Sequence, residues 1–218
     1  MNDSRDLILG RIRERLGRSA ANAPTAGAAV DAALAAHSAS PRPPPDVDLV
    51  AAFRTRSEAL SSTVDEVAVL ADVPRAVAAY LAEHKIDPRA VCVPEIKGLD
   101  WRGAGIEVEA RAAVDHDLVG ITGCFRAIAE TGTLMLCTAP ATPATVSLLP
   151  ETHIAVVAAP TILASMEEAW AAARAEFGQL PRAVNFISGP SRTGDIEQTI
   201  VLGAHGPYRV HVIVVRAA

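Results

Sequence analysis

The chain has 218 residues, half of them apolar, with 20 Lys and Arg against 25 Asp and Glu and a formal net charge of −5. That length supports a core without disulfides or metals, and the acidic balance excludes the basic face that phosphate neutralisation demands of a nucleic-acid reader. Apolar stretches such as residues 154–159 fall far short of the roughly 18–20 residues that span a bilayer, so no membrane span is expected. The opening residues Asn2-Asp3-Ser4-Arg5-Asp6 have no apolar run of the secretory kind, which points to a cytoplasmic location.

Ile8, Ile12 and Leu16 recur at four-residue spacing and predict a short amphipathic first helix, with Ser4 as N-cap and Gly17 as its stop. Its apolar stripe is of the kind that docks on a protein. Residues 18–45 collapse to Ala, Ser and Pro and end in Pro41-Arg42-Pro43-Pro44-Pro45, which reads as a tether stiffened by its proline run. The expected organisation is therefore a helix and tether over residues 1–45 and a folded domain over residues 46–218. A second helix is predicted over 46–60, a strand over 63–70, and a helix over 74–84 with Val77, Tyr80 and Leu81 inward. Short strands follow at 90–93 and 105–109. Two β-like runs then flank Glu130-Thr131-Gly132, and a strand at 154–158 precedes a helix over 161–177. Residues 183–187 read as a strand, the segment after Ser191 as a helix, and 209–215 as the closing strand. Strands alternating with helices argue for an α/β domain with helical crossovers.

Cys92, Cys124 and Cys137 form no CxxC pair and no zinc or iron–sulfur spacing, so the chain is expected to hold no metal. All three read as strand cysteines; Cys124, with Arg126 two residues on, is the one placed to become a thiolate. His153 and His211 fall in strands and read as structural. Three segments suit chemistry. Ser188-Gly189-Pro190-Ser191-Arg192-Thr193 follows a strand and leads into the predicted helix. There, free amides, two hydroxyls and a guanidinium suit a small carboxylate or phosphate; equally, Ser191 or Thr193 merely caps that helix. Gly203-Ala204-His205-Gly206-Pro207 is a tight turn that presents an imidazole for proton transfer, or simply exposes it. Glu130 sits at a bend where a carboxylate serves as base or nucleophile, or caps a turn.

Residues 129–134 (Ala-Glu-Thr-Gly-Thr-Leu), 147–154 (Ser-Leu-Leu-Pro-Glu-Thr-His-Ile), 188–193 and 203–207 together resemble the lactate-utilization (LUD) domain family, over about residues 46–215. Gly194 replaces the usual alanine, and residues 138–146 lack the arginine often found before Ser-Leu-Leu-Pro. The resemblance implies a three-layer α/β sandwich with a mixed central sheet, similar to the superfamily of ribose-5-phosphate isomerase, CoA transferases and 5-formyltetrahydrofolate cyclo-ligase. It also implies a cluster-free component of a cytoplasmic system that oxidises L-lactate to pyruvate beside iron–sulfur subunits, with no cofactor of its own. The expected pocket has Ser191, Arg192 and Thr193 gripping an anion, lined by Thr131, Gly132, Gly189 and Gly206, with Glu130 and His205 handling protons. Two other readings stand beside it: a self-sufficient enzyme acting on a phosphorylated or CoA-linked metabolite, and a regulatory or scaffold module.

Overall fold

The structure is a computed structural model that describes residues 2–38, 41, 44, 48–194 and 201–217. It divides into two compact units, Met1–Pro43 and Pro44–Ala218. In the first, α1 (Asn2–Arg15) starts ahead of Ser4, which lies within the helix and does not cap it. The helix ends at Arg15 and the chain turns off it at Gly17, where Gly17 N–H donates to Glu14 O (3.0 Å) and Arg18 N–H to Arg13 O (2.8 Å). The supposed tether contains a second helix, α2 (Ala23–Ala36), none of whose residues is buried. Alanine is the cheapest residue to place in a helix, and Pro24 sits in the first turn, where its missing N–H costs nothing. Propensity alone makes this helix. Of the proline run, residues 42, 43 and 45 lie outside the described residues.

The second unit runs α3 (Leu49–Ala59), β1 (Thr63–Val69), α4 (Val73–Glu83), β2 (Arg89–Cys92), β3 (Glu107–Ala110), β4 (Val119–Gly123), β5 (Arg126–Ile128) and β6 (Thr133–Cys137). It continues through α5 (Thr145–Leu148), β7 (Thr152–Ala158), β8 (Ile162–Leu163), α6 (Met166–Phe177), β9 (Val184–Ile187), β10 (Arg192–Thr193), β11 (Val201–Leu202) and β12 (Arg209–Ala217). The helix expected from residue 161 begins at Met166. Ser165 is its N-cap, with Oγ accepting from Glu168 N–H, and the residues before it pair as β8.

Six strands form a central sheet in the order β1-β12-β7-β4-β2-β3, every neighbouring pair parallel. A second sheet, β8-β5-β6-β9, contains the antiparallel pairs β5–β6 and β6–β9. The α/β class read from the sequence is the one the chain adopts, with the central sheet wholly parallel and the antiparallel pairs in the second sheet and in the β10–β11 ribbon. Parallel strands buried on both faces read as continuous apolar runs, as β7 and β12 do. On one face Val77, Tyr80 and Leu81 of α4 pack with Val91, Ile121, Ile154 and Ile213. On the other, Phe53 of α3 and Leu134 of the second sheet meet Val64, Val210, Val212 and Val214. The far side of the second sheet is closed by Ala169 and Ala173 of α6 against Ile128 and Met135.

The helix expected after Ser191 is absent where the segment is described: Arg192 and Thr193 pair antiparallel with Leu202 and Val201. Ser191 N–H donates to Pro207 O and Gly203 N–H to Ser191 O, both 2.9 Å, and these bonds hold the backbone extended. Residues 195–200 lie outside the described residues.

His153 and His211 are enclosed in the core, as expected of structural residues. Thr122 Oγ1 lies 2.9 Å from His153 Nε2, and Thr63 Oγ1 lies 2.8 Å from His211 Nδ1, whose ring stacks on Tyr80. Burial pushes both imidazoles down to about 4, partly opposed at His211 by Asp65. The unfolded chain therefore binds protons that the native one refuses, so stability is full above about pH 6.5 and falls as the pH drops toward 4. Urea unfolding at pH 7.5 and pH 5.0 checks this: His153 alone costs on the order of 2 kcal/mol at the lower pH, and His153→Gln removes about that share of the difference, leaving the part due to His211. In the same assay Phe53→Ala, which opens a hole between α3 and both sheets, destabilises the fold by about 3–5 kcal/mol.

Candidate functional site

The four motifs meet at the edge of the central sheet where its strands begin. Gly132 has φ +63° and lies so close to α3 that a Cβ there would come 2.4 Å from the Ser57 nitrogen. Ser57 Oγ donates to Gly132 O (3.1 Å) and locks the approach. Gly189, at φ +82°, comes equally near Leu60, where a Cβ would be 2.3 Å from the carbonyl oxygen. Only glycine fits either position without moving backbone. A hydroxyl chain joins the two segments: Thr131 Oγ1 donates to Thr133 Oγ1 (2.8 Å), which lies 2.7 Å from Ser188 Oγ. Ser191 is bonded to the 203–207 turn through its backbone, and Gly206 lies against the Ser191 side chain and near Leu148 O.

The structure thus brings Thr131, Gly132, Gly189, Ser191, Arg192 and Gly206 into one run of contacts around the end of α3. Arg192 serves that helix directly: its guanidinium donates to Leu60 O and to Ser61 Oγ, both 2.6 Å. A cation on the last carbonyls of a helix offsets its negative end. Thr193 extends away in β10. Glu130 faces another element, its Oε1 accepting the Met166 N–H at the first turn of α6 (2.8 Å), a favourable place for a carboxylate. His205 is exposed on its turn.

At the opposite edge, where the parallel strands end, a cavity of about 550 Å³ opens between the two sheets. Crevices at the carboxyl ends of parallel strands are where α/β proteins collect ligands, and this volume suits a small organic molecule. Of the motif residues only Ser147 lines it. Its charged groups are Glu95 after β2, Arg126 at the start of β5 and Glu176 near the end of α6. Arg126 donates to Phe125 O (2.6 Å) and to Glu176 Oε2 (2.9 Å), and its guanidinium lies 4.2 Å from the Phe125 ring centre. Cys124 also lines the cavity, but it is no thiolate: its Sγ donates to Arg126 O (3.0 Å), and burial pushes the thiol up to about 12. The thiolate expectation fails because burial outweighs the Arg126 charge, whose guanidinium is turned to Glu176. Motif reading by glycine and histidine missed this cavity. The available signal was positional: Val93-Pro94-Glu95 and Gly123-Cys124 each follow the end of a parallel strand.

Among the described residues no cluster of three or more His, Cys, Asp or Glu is placed to hold a metal ion, and no helix is long and apolar enough to cross a membrane. At the motif edge, Gly189→Ala combines left-handed strain with a backbone clash and destabilises by about 1–3 kcal/mol. Arg192→Ala, exposed at the end of α3, costs only about 1 kcal/mol. Thermal or urea unfolding of the two variants checks the order.

Comparison with known proteins gives concordant results. The LUD domain model matches residues 20–215. "Lactate utilization protein C" of Shouchella clausii is 38% identical over 124 residues, covering 56% of this chain and 53% of that protein. The protein of that name from Geobacillus sp. (strain WCH70) is 41% identical over 100 residues, 44% of this chain and 42% of the relative. The one from Exiguobacterium sp. (strain ATCC BAA-1283 / AT1b) is 36% identical over 118 residues, 53% and 51%. The chain spans about half the length of these curated relatives. The crystal structure of a DUF162 family protein from Deinococcus radiodurans aligns with a TM-score of 0.60 and 29% identity, over 80% of this chain and 100% of that one. With a family match that runs from α2 into β12, the chain belongs to the LUD domain family.

Proposed function

We propose that this chain works in lactate utilization, as a cluster-free component of a system that oxidises L-lactate to pyruvate in the cytoplasm together with iron–sulfur partner proteins. The observation that carries the reading is its 36–41% identity to proteins named Lactate utilization protein C. The cysteine arithmetic agrees: three dispersed thiols offer no cluster spacing, so electrons from lactate would pass through partners. We assign the family function to the motif edge, since the residues that resemble the family gather there around α3. A small carboxylate or phosphate at that edge would meet Arg192, exposed and anchored by Ser61, on a ribbon that Ser191 and Thr193, on its alternate face, hold through their backbones. Thr131, Gly132, Gly189 and Gly206 shape the surround, and Glu130 and His205 are the groups able to exchange protons.

Deletion of the gene followed by growth on L-lactate as sole carbon source tests the role. Loss of growth restored by the chain supports it, and undiminished growth overturns it. Affinity purification from the native cell under anaerobic conditions is expected to bring iron–sulfur proteins with the chain, recognised by their visible absorption; a chain recovered alone refutes the partnership. At matched protein levels, Arg192→Ala is expected to slow lactate-dependent growth more than Glu95→Gln does. The reverse order removes the motif edge from the function.

A further inference from the structure

The cavity at the strand ends differs in chemistry from the motif edge. Most of its side-chain donors are turned into the protein. Thr138 Oγ1 donates to Ala183 O (2.9 Å), Thr142 Oγ1 to Cys137 O (2.9 Å), Ser147 Oγ to Ala144 O (3.0 Å) and Thr161 Oγ1 to Ala158 O (2.8 Å). Thr122 is paired with His153; the exception is the Asn185 amide nitrogen, which has no hydrogen-bond partner but is itself buried. The one guanidinium is met by Glu176. Left facing the space are hydroxyl oxygens that still accept, and the Glu95 carboxylate, whose Oε2 lies 2.8 Å from where a Gly123 Cβ would stand. Among the charged residues lining the cavity, two carboxylates face one guanidinium. The rest of the wall is largely apolar, with Phe125 and Phe177 tilted against each other at 4.9 Å, and with Val93, Ile96 and Val156.

We infer that this cavity is a second binding site, for a largely apolar molecule with a hydrogen-bond-donating head, best met by a protonated amine, and that it excludes lactate and other small carboxylates. An anion entering would find excess negative charge and no unpaired side-chain cation, and it would have to pull Arg126 from Glu176. An amine would place its N–H groups on Glu95 and the accepting hydroxyls while its body fills the apolar space. A three-carbon acid also leaves most of 550 Å³ empty. The inference goes beyond the proposed lactate role and does not depend on it.

Two probes that share an indole body and differ in head charge test it. Tryptamine and indole-3-acetate are titrated into the full chain, with the methyl resonances of Ile96, Val156 and Val215 reporting occupancy of the cavity. Tryptamine is expected to shift these methyls and to bind about tenfold more tightly than indole-3-acetate. Glu95→Gln is expected to abolish most of that preference, and Glu176→Gln, which releases Arg126, to turn it toward indole-3-acetate. Both are exposed positions, so neither substitution threatens the fold. Equal or tighter binding of indole-3-acetate to the native chain overturns the inference. So do silence of the cavity methyls with both probes, a preference unmoved by either variant, or L-lactate or pyruvate shifting those methyls. Growth on lactate reads the other proposal separately, whichever way this titration falls.

Discussion

The fold depends on where its last strand goes. β12 enters the sheet between β1 and β7 with parallel register on both sides, Thr63 opposite His211 and His211 opposite Ile154. Without β12, β1 has no neighbour in the sheet, and α3 and α4, which cover β1, lose their floor. The backbone polar groups of a strand need partners, and β12 is the strand that supplies them to β1 in this sheet. The first strand of the domain is thus held by the last one. Such a closure is made of long-range contacts, the slow kind to form.

On this sheet the two edges take different characters. The edge where strands begin is built of backbone approaching backbone. Gly132 and Gly189 press onto α3, Arg192 closes the α3 C-terminus, and Ser191 is bonded into the turn ahead of β12. It has little volume and much rigidity. The edge where strands end is held apart by side chains, Phe125 with Phe177 and Arg126 with Glu176, and keeps a cavity. Rigid closeness and enclosed space are different resources. One suits presenting a shaped surface or a few fixed groups, and the other suits enclosing a molecule.

Much of the scaffold was legible because burial leaves a pattern. The apolar runs of β7 and β12 and the spacing of Val77, Tyr80 and Leu81 in α4 announce elements that the core then uses. Where no core is involved the pattern fails. α2 forms on alanine propensity with nothing buried, and low complexity hid it. Ser191–Thr193 misled for the opposite reason, since glycine followed by small polar residues fits a helix start as well as a ribbon, and the deciding bonds come from Gly203 and Pro207. The gathering of four motifs around α3 was legible as family resemblance, though the partner they gather on, Ser57 to Ser61, bears no mark of its own. The cavity was illegible because it belongs to no segment. It is the gap between two sheets, and its charged rim comes from three elements distant in the chain.

The seven residues of β7 place those two edges roughly 20 Å apart. At that distance the effects of substitutions add instead of interfering. The central strands are therefore a spacer as well as a core, and selection can act on each end without disturbing the other. A lineage can hold the glycine-built edge constant for one task while the walls of the cavity drift, sampling new small molecules at no cost to the old role. In a family recognised by its glycine motifs, divergence is then to be sought at Glu95, Arg126 and Glu176, residues that the motifs never mention.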